Sequence, residues 1–292
     1  MHFSRHFLHF SCLFLHFPPL LFLFLTLFLD FPTGYASSFD DYLSKGLSTL
    51  SRFRDASPLL SFAMAPHAPY TVSDANLQLC WQKAQELNIP LHTHLHETVL
   101  ETRDSEEGKD SMARHRSHEL CRPLANFERL GICGPKLIAA HMTQLDASEI
   151  ALMARSGSHV VHCPESNMKL VSGFCPVHKL LLAGGNVALG TDSACSNNNL
   201  SMFGEMQTAA LVGKVQGDSA VAFKGMTALR LATVGGARAA GKDKVFGSLQ
   251  VGMAADFIGV EYKGAAHQPI YKIATHITYN TEASQYVVKW GG

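Results

Sequence analysis

Leu91-His92-Thr93-His94-Leu95-His96-Glu97-Thr98 is the stretch from which the fold is read. Ile89-Pro90 precedes it, and Ile89 to His92 opens a short extended run. Side chains of a strand alternate between faces, so His92, His94 and His96 would share one side, and an H-x-H pair could chelate a metal directly. The alternative makes one of them a ligand while the others pack or hydrogen-bond. This second reading is preferred, because His94 with Glu97 three residues later already supplies a ligand and a base.

Outward from that stretch, short apolar runs alternate with amphipathic ones, the pattern of βα units and a parallel sheet. Leu59–Met64 reads as a strand ending at Ala65-Pro66-His67, and Ser73-Asp74 opens a helix that runs to Leu87. Residues 99–130 read as a polar, helical insertion. Further strands are expected at Lys136–Ala140, His159–Val161 and Gly185–Leu189, with helices at Ser148–Arg155, Phe203–Val215 and Met226–Ala240. Gly247–Glu261 reads as short strands with glycine turns, a small β element.

Residues with chemistry to offer fall just past these strands: His67, then His94 and Glu97, then His141, His162 and Asp192. Strands of a parallel barrel end on one face, where catalytic side chains from different strands meet. One histidine after a strand is ordinarily structural. A His or Asp at the same relative place after five consecutive strands points instead to a site. Neutral imidazoles and a carboxylate suit zinc or iron acting on water. Such a metal lowers the pKa of its water toward about 7. A carboxylate that does not bind the metal can carry a proton to a leaving amine, and Glu97 is placed for that.

Five ordered segments resemble the amidohydrolase superfamily: Ala65-Pro66-His67-Ala68-Pro69-Tyr70-Thr71, His94-Leu95-His96-Glu97-Thr98, Ala140-His141, His162-Cys163-Pro164-Glu165-Ser166-Asn167-Met168-Lys169-Leu170 and Gly190-Thr191-Asp192-Ser193. The branch they resemble is that of the 5-methylthioadenosine/S-adenosylhomocysteine deaminases and the related triazine chlorohydrolases. Gly247-Ser248-Leu249 and Gly252 to Ile258 resemble the family's return to a small β-sandwich. The resemblance implies an α/β fold: a partial TIM-type (β/α)8 barrel lacking its first strands, with a C-terminal piece of the sandwich. It implies His94 and Asp192 as metal ligands, Glu97 as proton shuttle and substrate contact, and His67 as a substrate-binding residue. His141 would orient the hydrolytic water, and Asp192 would also accept its proton. The implied cofactor is a divalent metal, zinc ahead of iron. The implied substrate is a small purine nucleoside such as 5′-methylthioadenosine or S-adenosylhomocysteine, deaminated to an inosine-like product. Triazine or guanine-like substrates, or a barrel without catalysis, are the alternatives.

The departure lies at the N-terminus. Family members carry an H-x-H pair on the first barrel strand, whereas His2, His6, His9 and His16 have neither that spacing nor a strand context. Nine of the 18 phenylalanines fall in the first 31 residues, and no charged residue lies between Phe10 and Leu29. Arg5, the apolar Leu20–Leu29 and Ala36-Ser37-Ser38 lay out a signal or membrane anchor, and a buried helix would be broken by Pro18-Pro19. The preferred reading is a segment foreign to the fold, standing where barrel sequence should continue. The expected domains are therefore 1–29 apart, 30–245 a partial hydrolase barrel, and 246–292 a sandwich fragment. With two ligands assigned and His141 a candidate third, the chain alone is expected to bind metal weakly and turn over little.

Lys plus Arg and Asp plus Glu both number 24, and no basic stripe points to nucleic acid. The seven cysteines are scattered singly, without a C-x-x-C pair, which reads as reduced thiols in a cytoplasmic protein. A homo-oligomer is compatible with this composition, and a membrane partner only if residues 1–29 are an anchor.

Overall fold

The alternating pattern folds as βα units in a computed structural model that describes residues 22–112, 120–282 and 286–290. The first half runs β1 (Phe22–Phe28), α1 (Phe39–Phe53), β2 (Leu60–Pro66), α2 (Asp74–Leu87), β3 (Leu91–Leu95), α3 (Val99–Glu107), α4 (Pro123–Arg129) and β4 (Leu137–His141). The second runs α5 (Ala147–Ser156), β5 (His159–His162), α6 (Pro164–Lys169), α7 (Val177–Leu182), β6 (Asn186–Leu189), α8 (Met202–Gln216) and α9 (Gly225–Arg230). A π-helical turn (Leu231–Gly235) joins α9 to α10 (Gly236–Ala239), and β7 (Phe257–Val260), α11 (Ile273–Tyr279) and β8 (Tyr286–Trp290) follow.

Strands β1 to β6 form one parallel sheet in chain order, the arrangement of a (β/α) barrel. The period of two sorts their side chains. Leu91, Leu95, Leu137, Ala139, Val160, Val187 and Leu189 enter the main core with Leu77 and Cys80 of α2, Phe127 of α4 and Ile150 of α5. Ile138, Val161 and Ala188 form a second cluster with Cys163 and Ala239. His94 aligns with Ala140 and Ala140 with Val161, so His94 lies on the face of this second cluster. β7 and β8 pair antiparallel in a separate two-stranded sheet.

Local chemistry explains the helix ends. Ser73 in extended conformation precedes Asp74 in the first turn of α2, and Leu77, Cys80 and Ala84 recur on its buried face. Asn88, left-handed at φ 55, ends it by donating its N–H to Ala84 O and Gln85 O. For α5, Asp146 accepts from Glu149 N while the Glu149 side chain accepts from Asp146 N, a reciprocal capping box.

Two boundaries differ from the sequence reading. Phe22–Phe28 pairs along its length with Leu60–Pro66, and Phe28 and Leu29 are buried in the main core. Residues 22–29, set apart with 1–29, are therefore part of the sheet layer. A largely apolar run serves a strand of a parallel sheet as well as it serves a signal peptide. Residues 1–21 lie outside the described residues. In the tail, Gly247–Glu261 holds a single strand, Phe257–Val260, whose partner comes from Tyr286–Trp290. The insertion at 99–130 contains α3 and α4 at its two ends. Among the described residues no helix is long and apolar enough to cross a membrane.

Leu137 is fully buried at the start of the central strand β4. Leu137→Ala is expected to lower unfolding free energy by about 2–5 kcal/mol through lost burial and the cavity left behind, as measured by urea denaturation.

Candidate active site

Because the six strands are parallel, their C-terminal ends share one rim. His67 follows β2 directly, His94 lies near the end of β3, and His141 ends β4. Asp192 comes three residues after β6, and Glu97 lies in the turn between β3 and α3. One ligand atom from each of His94, His141 and Asp192 lies within 4.8 Å of the others. His141 Nε2 is 4.0 Å from both Asp192 Oδ2 and Glu97 Oε1. The His94 and His141 rings stack at 5.5 Å, and His67 lies 4.9 Å from His94.

Hydrogen bonds set how each group presents itself. His94 Nδ1 lies 2.7 Å from the carbonyl oxygen of His67, which can only accept, so Nδ1 donates and the Nε2 lone pair is left free. His141 Nδ1 donates in the same way to Asn167 Oδ1 at 2.8 Å. Partners of this kind fix the tautomer and orientation of a metal-binding imidazole. Asp192 Oδ2 accepts from Ser166 Oγ at 2.7 Å and Ser196 Oγ at 2.9 Å. Burial would raise the Asp192 carboxyl, but His141, His94 and the two hydroxyls outweigh it and hold it below its ordinary value. Two imidazoles with Nδ1 tied off and one ionised carboxylate fit a divalent metal of the zinc type.

His67 Nδ1 lies 2.9 Å from Thr71 Oγ1, whose own proton goes to Ala68 O at 3.1 Å. His67 therefore donates through Nδ1, and its Nε2 is an acceptor. Burial, helped by His94, lowers its pKa to about 3, so it is neutral. The Glu97 main chain is gripped from both sides: its N–H donates to Glu101 Oε2 at 2.6 Å, and its carbonyl accepts from Thr143 Oγ1 at 2.6 Å. Its carboxylate accepts from Ser172 Oγ at 3.2 Å.

Of the three histidines in the opening stretch, only His94 joins the cluster. His92 is buried two residues deeper on the same face, with Nε2 unpartnered. His96, at φ 54, turns away from that face, and its Nε2 accepts from Leu124 N at 2.9 Å. His162 is buried and outside the cluster, although it ends a strand as His141 does. His162 aligns with Leu189, which belongs to the core under the helices, whereas His141, at φ 74, is redirected by its backbone. The orienting residues Ser166, Asn167, Ser172 and Ser196 carried no assigned role in the sequence reading. For Ser166, Asn167 and Ser196 the signal in the sequence is the polar stretches Ser166-Asn167 and Ser196 to Asn199; Ser172 stands in no such stretch.

The sequence profile of the amidohydrolase family matches residues 37–289. The chain belongs to this family. It is 44% identical over 259 residues to the 5-methylthioadenosine/S-adenosylhomocysteine deaminase of Saccharophagus degradans, covering 89% of this chain and 55% of that protein. To the enzyme of the same name from Teredinibacter turnerae it is 43% identical over 253 residues, covering 86% and 54%. An adenosine deaminase from Xanthomonas campestris, crystallised with bound zinc, superposes with a TM-score of 0.85 at 43% identity, covering 92% of this chain and 59% of that one. Atrazine chlorohydrolase from Arthrobacter aurescens shares the fold, with a TM-score of 0.77 at 20% identity. The chain thus spans about half the length of the curated relatives it matches.

Burial lowers the pKa of His67, His92 and His162 to about 3 and of His96 to about 4. Burial also raises Glu101 to about 7 and Glu205 to about 9. Between pH 6.5 and 5 the unfolded chain takes up protons on the four histidines, while the folded chain keeps them on the two carboxyls. The histidines outnumber the carboxyls, so the unfolded state binds more protons and stability falls as pH falls, by about 1.4 kcal/mol per pH unit for each net proton. Urea denaturation of the metal-free protein at pH 6.5 and 5 checks this; equal or greater stability at pH 5 contradicts it.

Proposed function

We propose that this chain carries the water-activating part of a deaminase site for adenine-type nucleosides, 5′-methylthioadenosine and S-adenosylhomocysteine foremost. The observation that carries the reading is the convergence of His94, His141 and Asp192 with the Glu97 carboxylate beside them, in a chain this similar to deaminases. Three donors also exceed the two assigned from the sequence, and catalytic zinc sites ordinarily use three protein ligands.

In this reading His94, His141 and Asp192 hold the metal. When bound, it supplies Lewis acidity that makes water nucleophilic near neutral pH. Asp192, kept ionised by its hydroxyl donors and neighbouring imidazoles, takes a proton from the attacking water. Glu97, on its braced turn, moves protons between water and substrate nitrogen, so that the amino group leaves as ammonia. His67 offers Nε2 as an acceptor for a substrate hydroxyl or N–H. Overall, water and the aminopurine give the oxopurine and ammonia. Triazine or guanine-like substrates remain the second reading, and the Arthrobacter likeness supports only the fold. The seven cysteines stand singly along the chain without a C-x-x-C pair, which supports a reducing, cytoplasmic setting.

The test is ammonia release from 5′-methylthioadenosine by the zinc-loaded chain, alongside Glu97→Gln. Weak turnover is expected, and Glu97→Gln is expected to lower kcat by about 10²–10⁴ while zinc content stays the same. Bound zinc with no ammonia from any adenine nucleoside overturns the deaminase reading and favours a metal-holding barrel without catalysis.

A further inference from the structure

Behind the rim, Glu205 of α8 is fully buried. Its Oε2 accepts from Glu165 N at 3.3 Å, and its Oε1 accepts from the side-chain amide of Asn197. Glu165 and Asn197 are the chain neighbours of Ser166 and Ser196, the two residues whose hydroxyls hold Asp192 Oδ2. The next residue of α6, Asn167, holds His141 Nδ1. One carboxyl therefore ties together two segments that are far apart in the chain and that between them orient two of the three converging donors.

We infer that Glu205 is a positioning residue for the metal site, setting Asp192 and His141 by clamping the α6 segment to the loop after β6. The inference rests on reading His94, His141 and Asp192 as the metal-holding set. Glu205 reaches neither a ligand atom nor the substrate side of the rim, so its effect passes through Ser166, Asn167 and Ser196. Burial, with Glu165 alongside, pushes its pKa up to about 9. Thr208 Oγ1 donates to Glu165 Oε1 at 3.3 Å, which keeps the Glu165 carboxylate on the α8 side.

Cobalt(II) serves as the probe, because its visible absorption reports ligand geometry without any need for turnover. The chain, Glu205→Ala and Asn197→Ala, each checked for fold by circular dichroism, are titrated with cobalt(II). Each variant is expected to bind cobalt about 10–100-fold more weakly than the parent, with altered absorption bands. Asn197→Ala cuts the same link from the other side and decides the matter if Glu205→Ala does not fold. Parental affinity and spectrum in a folded variant overturn the inference. If the parent itself takes no cobalt, the metal-site reading fails separately. The clamp is then read in the metal-free protein from the ring N–H signal of His141 in ¹H–¹⁵N spectra. That signal is expected to be sharp in the parent and broadened or lost in the variants; an unchanged signal overturns the clamp.

Discussion

Parallel hydrogen bonding in chain order, from β1 to β6, is the constraint on which the rest depends. It sends the end of every strand to one rim, so residues as distant as His67 and Asp192 meet without any long excursion of the chain. Register then chooses the face. His94 aligns with Ala140, and Ala140 with Val161, which puts small side chains beside the imidazole and leaves room at the rim. A slip of one residue in β3 would exchange His94 for Leu95 and destroy both the core beneath the helices and the site.

Register alone does not assemble the donors. His141 and Asp192 reach the cluster because their backbones take left-handed conformations, φ 74 and φ 60, which non-glycine residues rarely adopt. Such conformations persist when the surroundings over-determine them. Here Asn167 holds the His141 ring, and Ser166 with Ser196 holds the Asp192 carboxylate. Orientation of the donors thus falls to α6 and the loop after β6, with Glu205 behind both.

Much of this was legible in the sequence, and the limits have physical causes. Strands β2 to β6 and helices α2, α5 and α8 follow from periodicity and capping residues, within a residue or two at their ends. The rim residues His67, His94, Glu97, His141 and Asp192 follow from their places after strands. Strand β1 was hidden because an apolar run such as Phe22–Phe28 carries no alternation to distinguish it from a targeting segment. Helices α6 and α7 have six residues each, too short to show a 3.6-residue period. His162 looked equivalent to His141 because a positive φ at a histidine leaves no trace in composition. The same holds for His96, which the strand pattern alone would have placed beside His94.

The central claim is that His94, His141 and Asp192 form one metal centre. An anomalous difference map recorded at the zinc edge from zinc-soaked crystals of this chain tests it most directly. The account predicts a single dominant peak bonded to His94, His141 and Asp192. It is contradicted if zinc binds elsewhere, on a cysteine or beside His267 and His276, while those three side chains stay unbound.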